Sequence, residues 1–80
     1  MASLDKQRFT KKLGEILQEY SSKLAMQTRE LANAALKYLN AGDTADSAIR
    51  KAFRETGFFV ANNTAVVTAI YTAVCAGYGI

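Results

Sequence analysis

Eighty residues allow one domain at most, and a domain this small buries only about 60% of the surface of its unfolded chain. The single cysteine, Cys75, excludes an internal disulfide, and without histidine the common zinc patterns have no ligand set. Half of the residues are apolar and the net charge is +3, which excludes a disordered tail without demanding nucleic acid or anionic lipid as a partner.

Association with another body is therefore the remaining aid to stability. No apolar run follows Met1-Ala2-Ser3-Leu4-Asp5-Lys6, so no secretory signal is expected. The triplet Asn62-Asn63-Thr64 then has only the form of a glycosylation site. A free cysteine fits a reducing compartment.

The ten basic and seven acidic residues all lie between Asp5 and Glu55, and none follows. The chain thus reads as one helical unit in two parts, charged amphipathic helices over 1–56 and an uncharged apolar segment over 57–80. The absence of proline permits long helices.

The first predicted helix covers 4–40. Phe9, Leu13, Ile16, Leu17, Tyr20, Leu24, Thr28, Leu31, Ala35 and Tyr38 recur at steps of three and four, one face of a helix. Ser3 is the expected N-cap. A single rod of this span would be about 55 Å long, beyond the usual globular length. Gly14 and Ser21-Ser22 are the positions at which it would break.

Ala41-Gly42-Asp43 ends that helix, with glycine supplying a left-handed turn and Asp43 capping the next element. The second predicted helix covers 44–56. Its apolar face is Ala45, Ala48, Ile49, Ala52 and Phe53, its polar face Arg50, Lys51, Arg54 and Glu55, and Gly57 closes it.

The third segment carries two opposed signals. Thr64, Val66, Val67, Thr68, Ile70, Thr72 and Val74 are β-branched, which favours a strand. Spacing favours a helix, because Ala61, Ala65, Ala69, Ala73 and Gly77 recur every four residues, as do Val66, Ile70 and Val74. A lone strand would also leave its edge unpaired. The reading taken is a helix over 62–76, capped by Asn62 or Asn63 and stopped at Gly77. The fold class predicted is all-α with three helices.

Small residues at every fourth position let helix backbones approach closely. The expected association surface is Phe58, Phe59, Ala61, Ala65, Val66, Ala69, Ile70, Ala73, Val74 and Gly77. Removing its larger apolar members from water is worth roughly 1.5–3 kcal/mol each before entropy is counted. A stretch without charge after Arg50, Lys51 and Arg54 also has the layout of a C-terminal membrane anchor, although Asn62, Asn63 and the threonines dilute its hydrophobicity.

For catalysis the inventory is nearly empty: no histidine base, no activated nucleophile and no paired carboxylates. Cys75, among Ile70, Val74 and Ala76, reads as an inert buried thiol. The basic residues of the second helix read as a solvated face, and no nucleic-acid signature accompanies them. No catalytic residue, cofactor or metal is expected.

The runs Ala34-Ala35-Leu36-Lys37-Tyr38-Leu39 and Ala69-Ile70-Tyr71-Thr72-Ala73-Val74-Cys75-Ala76-Gly77-Tyr78-Gly79 resemble the N-terminal part of some tailed-phage minor head or ejected virion proteins. That resemblance implies a structural role in a virion and no functional residue. The apolar final residue reads as the end of a retained piece of a longer polypeptide.

The function expected is a non-enzymatic helical assembly protein, a phage virion component burying its C-terminal helix in an oligomer or larger shell. Its partners would be further copies of itself or that shell, in virion or cytoplasm, with nucleic acid set aside. The alternative is a C-terminally anchored membrane protein or membrane-active peptide.

Overall fold

A computed structural model of the chain describes residues 4–57 and 63–79. These form four helices: α1 (Lys6–Leu17), α2 (Ser22–Asn40), α3 (Ala45–Thr56) and α4 (Asn63–Tyr78). The all-α class stands, but the helix count is four where three were predicted. The rod expected over 4–40 is two helices.

Asp5 starts α1, its carboxylate accepting the backbone N–H groups of Gln7 at 3.0 Å and Arg8 at 3.2 Å. Ser3, the cap expected from sequence, lies outside the described residues. Gly14 does not break the helix, and the corner falls at residues 18–21. There Ser21 takes an extended conformation, φ −61° and ψ 155°, and its hydroxyl accepts the Leu24 N–H at 3.2 Å. The serine that a continuous helix would leave idle becomes the N-cap of α2. Tyr20 anchors the corner by donating its hydroxyl to the Ala65 carbonyl of α4 at 3.0 Å.

The α2–α3 turn follows the expected chemistry in part. Gly42 has φ +103°, and the Asp43 N–H donates to the Tyr38 carbonyl at 3.0 Å. The cap of α3 is Thr44, whose hydroxyl accepts from Ser47 N–H at 3.2 Å. Asp43 instead binds the Lys51 ammonium at 2.7 Å. Gly57, at φ +69°, ends α3 as predicted.

The third segment is helical, and no strand occurs among the described residues. Gly77 does not stop it. Leu4 occupies the space a Cβ there would need, with Cδ1 at 2.5 Å from the ideal position. The Gly77 carbonyl, which a helix end would leave unpaired, accepts the Asp5 N–H at 2.8 Å. The left-handed stop belongs to Gly79, φ +77°.

The helices pair as α1 with α4 and α2 with α3. The α1–α4 pair is antiparallel, since the start of α1 meets the end of α4 and Tyr20 meets Ala65. One core joins them: Phe9, Leu13 and Leu17 of α1, Leu31, Ala35 and Leu39 of α2, Ala48, Ile49 and Ala52 of α3, and Val66, Ile70 and Ala73 of α4. Thr28 is buried among them and donates to the Leu24 carbonyl at 2.7 Å. No buried side-chain nitrogen or oxygen among the described residues lacks a partner.

Candidate functional site: the outer face of α4

The inner face of α4 is given to the chain's own core. Val66, Ala69, Ile70, Ala73 and Val74 are buried there, Gly77 is closed off by Leu4, and Ala65 is half-buried with its carbonyl taken by Tyr20. The association surface expected at these positions is therefore not presented outward. The physical reason is the corner at Ser21, which folds α1 back so that its apolar stripe covers the row of small residues. Phe58, Phe59 and Ala61 lie outside the described residues.

What α4 presents is its opposite face. Thr64, Thr68 and Cys75 are exposed, flanked by the half-buried Val67, Tyr71, Thr72 and Tyr78. Positions 64, 68, 71, 75 and 78 share one side of a helix of 3.6 residues per turn. The thiol of Cys75 is thus exposed, against the buried thiol expected. Val74 before it takes the inner position, and a step of about 100° carries Cys75 outward.

Two polar groups along this face are turned back into the protein. The Thr72 hydroxyl donates to the Thr68 carbonyl at 2.8 Å, and the Tyr71 hydroxyl to the Asp46 carboxylate of α3 at 3.3 Å. Partial burial, and after it the Asp46 charge, raises the tyrosine's pKa above its ordinary value. The result is an exposed helix face with no charge of its own. The threonine row Thr64-Thr68-Thr72 was a visible sequence signal for it. Its outward direction was not legible, because repeats of four mark both sides of the helix.

The ionic groups gather elsewhere. At the α2–α3 edge, Glu55 accepts from the Lys37 ammonium at 2.8 Å and from the Tyr38 hydroxyl at 2.6 Å. Lys37 and Lys51 stand 4.9 Å and 5.3 Å from the centre of the Tyr38 ring. The Lys37 hydrogen bond, then that of Tyr38, holds the Glu55 carboxyl below the usual range, and bonding to Glu55 raises both Lys37 and Tyr38. This cluster is a clasp between two helices, with every carboxylate oxygen it uses already occupied. Among the described residues no three cysteine or acidic side chains gather to hold a metal ion. Nor is any described helix long and apolar enough to cross a membrane. At about 1.5 Å per residue, α4 is about 24 Å long, against a hydrocarbon layer of about 30 Å.

No family model, curated protein or solved structure matches the chain.

Proposed function

We propose that this chain is a non-enzymatic structural protein that assembles with further copies of itself through the outer face of α4. The observation that carries the reading is that face: exposed threonines and a cysteine flanked by tyrosines, with no charge, on a chain whose charges all lie before α4. Depletion of charge and enrichment of tyrosine mark the centre of protein–protein contacts. An uncharged helix face meets another copy of itself without the like-charge repulsion that the +3 chain would otherwise bring. The setting proposed is a phage virion. It rests on the likeness of residues 34–39 and 69–79 to virion proteins, and its partner there would be the surrounding shell.

Molar mass by light scattering after size exclusion, without detergent and across concentration, tests the reading. The wild-type chain is expected as a discrete oligomer or larger particle. Thr68→Lys, which places a charge at the centre of the face without touching the core, should weaken that association about tenfold, with helix content unchanged by circular dichroism. A concentration-independent monomer would overturn the proposal. Solubility only in detergent would favour membrane association instead.

A further inference from the structure

The apolar register runs unbroken through the α1–α2 corner. Leu17, Tyr20, Leu24 and Thr28 keep the three- and four-residue steps of one helix face across it. The corner contains neither proline nor glycine. Gln18 is already helical at φ −59° and ψ −28°. The N–H groups of Glu19 and Tyr20 donate to the carbonyls of Ile16 and Leu17, as in a tightened last turn. Ser21 has a helical φ of −61°, so its departure from the helix lies in ψ alone.

We infer that this corner is a hinge, and that two copies of the chain exchange α1, each packing it on the other's α4. Were α1 and α2 to run on through the hinge, they would span about 35 residues and about 52 Å. The longest dimension of the closed molecule is 34 Å. An opened α1 therefore leaves its own α4 and uncovers Val66, Ile70 and Ala73, which are fully buried when it is closed. The surface that fits them is another copy's α1, because the closed molecule already displays that fit.

Each chain gives up the Ser21 cap, and the α1–α4 contacts are re-formed between chains, which makes exchange of an element a low-cost route to a dimer. This is a second form of the four-helix chain and leaves the monomer fold as described. It uses the inner face of α4, so it stands or falls separately from the outer-face contact proposed above.

Two substitutions act on the hinge in opposite directions. Ser22 is the first residue of α2, where proline's missing N–H is no loss. Proline at 22 also holds residue 21 in the extended region that Ser21 already occupies. The opened helix would instead carry that proline in its interior. Ser22→Pro should leave the monomer folded and lower association by exchange of α1 at least about a hundredfold. Ser21→Ala, which removes the cap of the closed form only, should raise it about tenfold.

The readouts are molar mass by light scattering and isotope-filtered NOEs on an equilibrated mixture of labelled and unlabelled full-length chains. Exchange predicts contacts between Leu4 methyls of one chain and Gly77 of the other, lost in Ser22→Pro and retained in Thr68→Lys. Leu4–Gly77 contacts between chains undiminished in Ser22→Pro, or confined to single chains in wild type, would overturn the exchange while leaving the outer-face reading intact. A monomer at all concentrations in both wild type and Ser21→Ala would overturn both.

Discussion

The two helix pairs of this molecule are held together by different means. Helices α2 and α3 are neighbours in sequence, joined by a short turn and clasped at their exposed edge by Lys37, Tyr38 and Glu55 and by Asp43 with Lys51. Helices α1 and α4 come from opposite ends of the chain, and α4 has no charge to offer. Their pair rests on apolar burial, supplemented by the hydrogen bonds from Asp5 N–H and the Tyr20 hydroxyl. Local contacts close small loops, whereas a pair between chain ends must offset a larger loop-closure entropy. The pair between chain ends thus relies on contacts that salt does not screen.

The heaviest blow to the distant pair is Ile70→Asp. Ile70 is 0% exposed, and a carboxylate there has no partner on α4 and no water. A loss of more than about 4 kcal/mol is expected, enough to unfold a chain of this size, with the helical circular dichroism signal collapsing at 25 °C. A cooperative transition near the wild-type Tm would mean that the α1–α4 seam is not the principal source of stability.

Gly77→Leu should have an intermediate effect. Its side chain needs the space held by Leu4, and even a Cβ would stand 3.3 Å from the Asp5 carbonyl oxygen. Forcing the two helix ends apart should lower stability by about 1–3 kcal/mol, read from chemical denaturation. Stability equal to wild type would show that the ends separate freely.

The smallest effect is expected at the local pair, and it depends on pH. The Glu55 carboxyl titrates below its ordinary value when folded, so its contribution is present above the unfolded carboxylate range and fades as pH falls through the folded value. Lys37 and Tyr38 titrate above theirs, so their contribution is complete below the ordinary alkaline range and fades as pH rises. Exposed ion pairs contribute little. Glu55→Gln should lower Tm slightly at neutral pH and flatten both flanks of the Tm profile between about pH 3 and about pH 11. Flanks identical to wild type would show that the clasp contributes nothing measurable.

The sequence made the class of the fold legible, and much of its punctuation. Glycines 42 and 57 end helices where periodicity and turn chemistry placed them, and the spacing of four prevailed over β-branching in α4 because α1 covers the alanine row. The corner at Ser21 was one of two positions suggested for a break, but the apolar stripe crosses it in register and so argued for one rod. Its cause is tertiary: Tyr20 reaches Ala65, and Leu4 reaches Gly77, in a segment more than forty residues away. The same distant contact explains why Gly77 reads as a stop and behaves as a seat. The α4 site was legible as a row of small residues, yet not which side would be spent within the chain, since that depends on where α1 folds.

The hydrogen bond from Asp5 to Gly77 has a consequence for rewiring the helices. It brings the backbone at the start of α1 beside the backbone at the end of α4. A short glycine-serine bridge from the end of α4 to the start of α1 would join these two helices directly without rerouting any helix. The backbone could then be reopened at the Gly42 turn, giving a permuted chain in which α3, α4, α1 and α2 follow one another and the distant pair becomes the local one.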